Sequence, residues 1–292
     1  MNDGELFGRK VYCVIGKAGE QGVIVDGLRI SFAVEKTARR HPNKAKIAIF
    51  NLNKTTAAAV TDAQDRLQIQ LFAGYESTAV SMIFQGEIRR GKAKTETSGT
   101  DRITTIEASD GGDLYRESRI NTTIVDASGK QLIDAISKSF GVKIKLPDDV
   151  LQEALAKRFD SITLTGRSAD VLDNLADSFG FVWFLEDGAL KVVSRDGDTG
   201  EIAVLLTPDT GLISAAVQTS KGINGESLMN SGIRPRRIIE IRTEEVKGFF
   251  RVQSVELKGD SGYAKPFYTS FEAVQAAQMS EDKAARRRKA GE

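Results

Sequence analysis

Hydrophobic and polar positions alternate over short stretches near both ends of this sequence and take helical spacing in its middle. From Gly27 to Leu52 the chain reads GLRISFAVEKTARRHPNKAKIAIFNL, setting Leu28, Ile30, Phe32 and Val34 against Arg29, Ser31, Ala33 and Glu35. Successive side chains of a strand point to opposite faces, so this run predicts a strand with one apolar and one wet face. Ala45, Ile47 and Ile49 repeat the pattern, with Phe50 and Leu52 on the other face, and Pro42-Asn43 marks a turn between the two strands. Arg9–Gly16 alternates, placing Val11, Cys13 and Ile15 together. Val23–Val25 is a short strand, and Asp26-Gly27 is a hairpin signal. Asn51–Thr56 offers N-caps for a helix over Thr55–Gln64. Leu67, Ile69 and Leu71 return to alternation. Met82–Ile88 and Arg102–Ala108 read as strands split by the polar stretch Lys92–Thr100. Together these elements predict a small antiparallel barrel.

Past Gly112 the period changes and the sequence repeats. Ile124–Val142 (IVDASGKQLIDAISKSFGV) aligns with Thr163–Phe181 (TLTGRSADVLDNLADSFGF), matching Asp134 with Asp173, Ser139 with Ser178 and Gly141 with Gly180. Each copy reads strand, amphipathic helix, Phe-Gly, strand. Leu132, Ile133 and Ile136 form one apolar stripe, and Val171, Leu172 and Leu175 the other. Gly141 and Gly180 stand where a C-cap glycine belongs. Between the copies, Pro147–Arg158 reads as a short helix capped by Asp148 or Asp149. Val182–Glu186 and Ala189–Ser194 flank a second hairpin signal, Asp187-Gly188. Ile202–Leu206, Gly211–Thr219, Arg237–Thr243, Phe249–Lys258 and Phe267–Ala273 return to β character. The predicted fold is mainly β with an α+β insert: an N-terminal antiparallel β-barrel over residues 1–115, an α+β repeat domain over 116–196, a C-terminal barrel over 197–274 and a charged tail over 275–292.

Composition narrows the function classes. The 292 residues carry 41 basic and 40 acidic side chains, a balance that disfavours general nucleic-acid or membrane-surface binding. One cysteine, Cys13, and one histidine, His41, rule out a disulfide within the chain and argue against a Cys/His zinc site. No stretch has the length and apolarity of a signal peptide core or a membrane span. Synthesis in a cytoplasm and no membrane insertion are expected.

Candidate chemistry is sparse. Asp134 and Asp173 are equivalent in the two repeats and form the best carboxylate pair for a hydrolase, though each borders an apolar stripe where acidic residues ordinarily face solvent. Trp183 suits a sugar or base platform, or core packing. His41 has cationic neighbours, Arg39, Arg40 and Lys44, and lacks the partner a general base needs. The glycine clusters match no phosphate-binding or nucleophile-elbow pattern. The basic runs Lys36–Lys46 and Arg286–Lys289 read as solvated. Cys13 reads as a small buried residue. No catalytic, cofactor-binding or metal-binding residue is expected.

Several motifs in order carry a resemblance. GLRISFAVEKTARRHPNKAKIAIFNLNKTT, then FQGEI, DRITTIEASD, SLMN, IRP, GFFRVQSVELKGDSG and FYTSFEA, together spanning about residues 8–273, resemble the two-barrel baseplate hub proteins of contractile-tailed bacteriophages. The sequence departs from that pattern at Leu257, where a His is common, and in the tail. The resemblance implies a structural, non-enzymatic homotrimer located in the virion tail baseplate. Six barrels in a ring would adapt a sixfold tail tube to a threefold central spike, touch other baseplate proteins, and leave a lumen through which DNA passes without specific binding. Hubs of type VI secretion spikes are similar, so another contractile injection system is an alternative, as is a peptidoglycan-hydrolysing or carbohydrate-binding tail component. The outer face of the opening strand pair and the Lys36–Lys46 loop are then expected at a subunit or tube contact, so that reversing Arg39 and Arg40 impairs assembly more than folding.

Overall fold

A computed structural model describes residues 8–17, 19–63, 66–219, 222–262 and 266–276, with the backbone alone at residues 90, 112–114 and 215–219. The chain forms two units, one of Met1–Thr37, Asn43–Asp110 and Gly200–Glu292, the other of Ala38–Pro42 and Gly111–Thr199.

The first unit contains β1 (Arg9–Lys17), β2 (Val23–Val25), β3 (Ile30–Thr37), β4 (Lys44–Phe50), α1 (Lys54–Thr61), β5 (Leu67–Tyr75), β6 (Ala79–Ser98) and β7 (Asp101–Ser109). The second contains α2 (Gly112–Glu117), β8 (Arg119–Ser128), α3 (Gly129–Phe140), α4 (Asp148–Ala156), β9 (Arg158–Arg167), α5 (Ser168–Phe179), β10 (Phe181–Glu186) and β11 (Ala189–Ser194). The chain then returns to the first unit with β12 (Val204–Leu206), β13 (Leu212–Thr219), β14 (Gly222–Leu228), β15 (Ile238–Arg242), β16 (Lys247–Asp260) and β17 (Phe267–Gln275).

Among the described residues, thirteen strands of the first unit share one sheet in the order β13-β14-β17-β16-β3-β4-β7-β6-β5-β1-β2, with β12 on β15 and β15 on β16. The pairing is antiparallel except for β12 on β15. The alternation read from the sequence is the reason for the burial. Ile30, Phe32 and Val34 face Ile47 and Ile49 in a core that also takes in Ile69, Leu71, Phe84, Val252, Leu257, Phe267 and Phe271. Each such side chain contributes roughly 1.5–3 kcal/mol when fully buried. The first and last thirds of the chain therefore share one hydrophobic core.

Several boundaries differ from the sequence reading. Leu28 packs on the core from outside β3. The polar stretch from Lys92 is strand as far as Ser98, because alternating Thr95 and Thr97 keep ladder pairs with Thr104 and Arg102 on β7. A register slip between Ile88 and Ala93 absorbs the extra residues. The periodicity also missed β14. Its Gly225 leaves room for the Phe271 ring, whose Cζ would lie 2.5 Å from a Cβ at that position. In β16 the predicted alternation holds at Phe250 and Val252, then changes parity. A bulge between Val252 and Ser254 puts Val255 and Leu257 on the core face. Asn53 is the N-cap of α1, its Oδ1 accepting from the Thr56 N–H at 2.7 Å. The predicted helix end at Gln64 and the tail from residue 277 lie outside the described residues.

In the second unit the repeat builds two similar helices. Ser128 and Gln131 form a capping box on α3, and Gly141 (φ 68°) and Gly180 (φ 69°) terminate α3 and α5 in the left-handed region. The repeat-related strands β8 and β9 pair antiparallel with each other. The second copy exits into β10, which pairs with β11 across Asp187-Gly188, both at positive φ. The first copy exits without a strand. There Ser137 Oγ donates to the Val142 carbonyl at 2.5 Å and accepts from the Ile144 N–H at 3.1 Å, holding the segment irregular up to Pro147. Neither Asp148 nor Asp149 caps α4. Pro147 is its N-cap, and both acids lie in the first turn, where the helix dipole favours them. The sequence reading also missed α2.

Candidate assembly surface

The seam between the two β segments is β3 on β16. Seven residue pairs run from Ser254–Thr37 to Asp260–Ser31. At one end Arg29 donates to Asp260 through Nε (3.1 Å) and Nη2 (2.9 Å) while its guanidinium lies 4.3 Å from the centroid of Phe50. Below the ladder, Phe32 meets Phe267 edge-on at 6.3 Å. At the other end Asn43 is buried. Its Oδ1 accepts from the Thr37 N–H at 2.9 Å, its carbonyl accepts from the Asp110 N–H at 3.0 Å, and its Nδ2 lies 3.3 Å from Asp110 Oδ2. Thr37, Asn43 and Asp110 are the residues at which the chain leaves and re-enters the first unit, so one buried amide fixes three of those crossings.

The wet face of this sheet carries both signs across its width, with Lys258 paired to Glu256 at 2.7 Å and Lys94 to Glu96 at 2.9 Å. Glu256 on β16 lies directly opposite Glu35 on β3. Glu226 and Glu272 flank them, accepting from Ser270 (3.1 Å) and Ser254 (2.9 Å). Beyond β3 the outward residues become Lys44 and Lys46 on β4, then Arg89, Lys92 and Lys94 on β6, with Arg89 and Lys92 both within 4 Å of Glu107. A shallow 320 Å³ pocket lies on this face, lined by Ala33, Lys46, Ala48, Lys258 and Gly259 among others. Like charges placed opposite one another destabilise a sheet, and Lys258 beside Glu256 and Lys44 opposite Glu35 offset that cost here.

The candidate residues of the sequence separate into different environments. Asp134 is exposed and pairs with Lys130 at 2.5 Å along α3. Asp173, its repeat partner, departs from the solvated reading. Its Oδ1 accepts from Trp183 Nε1 at 2.8 Å and lies 3.3 Å from Arg40 Nε. Burial raises its pKa above the usual carboxylate value, against the opposing pull of the Trp183 hydrogen bond and of Arg40. Trp183 is fully buried between Tyr115 and Phe140, as core and not as a platform. His41 lies edge-on to Tyr115 at 6.4 Å. Cys13 is fully buried, and burial pushes its thiol up to about 12.

The basic run Lys36–Lys46 is not one loop. Lys36 is buried at the end of β3, while Lys44 and Lys46 are exposed on β4. Between them, Ala38–Pro42 belongs to the second unit. There Arg40 bridges Asp173 and Asp177 (2.8 Å), and Ala38 packs with Phe184 and Val193. Arg40 is therefore engaged within its own chain while its side chain stays partly exposed. The structure thus brings Arg40, His41, Asp173 and Trp183 into one cluster and leaves Asp134 out. Arg286–Lys289 lies outside the described residues. Asn43 and Asp110 escaped the sequence reading, because an isolated Asn in a turn and an Asp at a strand end carry no periodic signal. Among the described residues no group of His, Cys, Asp or Glu is arranged to hold a metal ion.

The fold has close counterparts among solved structures. The 43 kDa tail protein of prophage MuSo2 from Shewanella oneidensis aligns with a TM-score of 0.61 at 11% identity, covering 92% of this chain and 98% of that one. A tail protein from Neisseria meningitidis MC58 aligns with a TM-score of 0.59 at 9% identity, covering 91% and 96%. An Escherichia coli component of the type VI secretion system, described as structurally similar to the T4 bacteriophage tail proteins gp27 and gp5, aligns with a TM-score of 0.58 at 10% identity, covering 91% and 77%. At these identities the likeness is one of fold. A search of curated proteins gave no match. A family model described as baseplate hub gp41 matches residues 10–244. With most of its length inside that match, the chain belongs to the baseplate hub gp41 family.

Proposed function

We propose that this protein is a structural subunit of a phage tail baseplate hub, forming a homotrimeric ring that adapts a sixfold tail tube to a threefold central spike. The observation that carries the reading is the family match over residues 10–244, joined to a fold shared with tail proteins along nearly their whole length. In this reading residues 1–115 and 197–274 act as two barrel-type domains, so three chains present six similar faces to the tube. Residues 116–196 form the α+β domain, and 275–292 a charged tail. The tail tube protein, the spike and other baseplate proteins are its partners, and DNA passes through the lumen without specific binding. The protein acts by interface geometry and carries no catalytic residue.

Mass measurement of the purified protein, followed by a reconstruction of the assembled baseplate, tests this. A trimer occupying the position between tube and spike is expected; a protein that stays monomeric and is missing from tail particles overturns the proposal. A second reading, the hub of another contractile injection system, draws on the type VI secretion component among the fold's counterparts. The same reconstruction separates the two. The hydrolase alternative rested on Asp134 and Asp173 as a pair, and the two lie in different settings, Asp134 paired with Lys130 on the surface and Asp173 held by Trp183 and Arg40.

A further inference from the structure

Lysine, asparagine and aspartate are seldom fully buried, yet one of each meets in a single row at the end of the β3–β4–β7 ladder. Lys36 is 4% exposed, Asn43 2% and Asp110 0%. Lys36 continues the core face of β3 after Ile30, Phe32 and Val34. One step beyond the ladder pair Glu35–Lys44, the register sets Lys36 opposite Asn43. One step beyond Lys44–Ser109, it sets Asn43 opposite Asp110, whose N–H donates to the Asn43 carbonyl at 3.0 Å. The Phe50 N–H donates to the Arg29 carbonyl at 2.9 Å, which makes Arg29 and Phe50 a hydrogen-bonded pair of the same ladder. Pair types alternate along an antiparallel ladder. Lys36 and Asn43, an odd number of steps on, are therefore of the non-hydrogen-bonded kind, whose side chains lie closer together.

The surroundings of the Asn43 amide are those an acyl transfer needs. Its Oδ1 accepts from the Thr37 backbone N–H at 2.9 Å, which polarises the carbonyl and would hold the charge of a tetrahedral intermediate. Its Nδ2 lies 3.3 Å from Asp110 Oδ2, a group able to carry a proton to a leaving nitrogen. Val255, the β16 partner of Lys36, is buried along with Ala45 and Ala108, and these side chains keep out competing water. A buried lysine and a buried carboxylate ordinarily form an ion pair; the amide in the row with them adds an electrophile.

We propose that Lys36 and Asn43 join in an isopeptide bond that the protein forms within itself. The Lys36 ammonium passes one proton to Asp110, and its Nζ attacks the Asn43 Cγ. The Nζ–Cγ bond forms and the Cγ–Nδ2 bond breaks. A second Nζ proton moves to Nδ2, which departs as ammonia and takes up the proton held by Asp110. One ammonium is consumed and one released, so the step needs no oxidant or cofactor. The bond ties β3 to β4 across the excursion Ala38–Pro42, where the chain leaves the first unit. It forms once in each chain without turnover, and stands independently of the hub reading.

Mass spectrometry of the full chain tests it. The purified wild type is expected to be lighter than its sequence by one ammonia. Trypsin cuts after Arg29, Arg39, Arg40 and Lys44 but not after an acylated Lys36, so residues 30–39 and 41–44 are expected as one branched peptide. Lys36→Arg keeps the cation and removes the nucleophile, and Asn43→Ala removes the electrophile. Each is expected to restore the full mass and abolish the branched peptide. Asp110→Asn is expected to leave the chain largely unlinked. A wild type of full mass, with residues 30–36 and 41–44 recovered as separate peptides, overturns the proposal whether or not the variants fold. A wild type lighter by one ammonia but without the branched peptide also overturns it, in favour of ring closure at another asparagine such as Asn224, which precedes Gly225. A branched peptide formed equally well in Asp110→Asn overturns the proton transfer assigned to Asp110.

Discussion

Asp173 shows what one residue's surroundings do to a carboxylate that the repeat makes equivalent to a surface one. Burial pushes its folded pKa above the ordinary 3.8, so the folded state holds a proton that the unfolded chain releases. Its contribution to stability is therefore complete below 3.8 and is lost as pH rises through the folded value. Asp173→Asn should flatten that part of the stability-versus-pH curve, read by urea denaturation across the acid range. Trp183→Phe removes the donor to Asp173 and leaves part of the buried indole's space unfilled, at a cost of about 1–3 kcal/mol in the same measurement. At this scale the sequence was partly legible. Cys13 and the helix-ending glycines could be read from residue type and position alone. The Asp173–Trp183 bond could not, because it joins the outer edge of a helix stripe to a strand, and periodicity assigns faces without assigning partners.

Among the elements, β16 depends on a single extra residue. The bulge at Gln253 lets Phe250 and Val252 on one side of it, and Val255 and Leu257 on the other, reach the same core. Deleting Gln253 would remove the bulge and leave Val252, Ser254 and Val255 in unbroken alternation against Ala273, Glu272 and Phe271. The expected outcome is a retained cooperative unfolding transition by circular dichroism, whereas one residue inserted after Ser254 would exchange the faces of the rest of the strand and abolish it. Gly259 makes a gentler test. A Cβ there would lie 2.3 Å from Cζ of Phe32 and 2.9 Å from Cδ2 of Phe267, both at the seam, so Gly259→Ala should lower stability by about 1–3 kcal/mol in denaturant titration. Strands with clean alternation, such as β3, β4 and β7, could be read from the sequence. Those whose pattern is interrupted by glycine, bulge or polar side chains, such as β14 and the far half of β6, could not, since cross-strand packing holds them in place of intrinsic preference.

For the whole molecule, the chain interleaves its two units instead of completing them in turn. Arg40 gives a measurable handle on the short excursion at Ala38–Pro42. Its ion pairs with Asp173 and Asp177 are half exposed, so Arg40→Ala should cost less than ~1 kcal/mol and leave the oligomeric mass unchanged. That outcome would separate Arg40 from residues at a subunit contact. The mainly β class and the central repeat were legible as separate local patterns. The pairing of β3 with β16 was not, because nothing within a window of either strand specifies a partner more than two hundred residues away.

That pairing also sets an order of events in time. The first hundred residues can leave the ribosome and collapse while β3 still lacks the neighbour that covers one side of it, and that neighbour is made only near the end of synthesis. Closing so long a loop is slow, and a strand edge left open meanwhile is a template for misassociation. A nascent or truncated chain ending before residue 247 would thus be sticky along β3. The late β16 acts as a checkpoint, covering that edge only once the polypeptide is nearly complete.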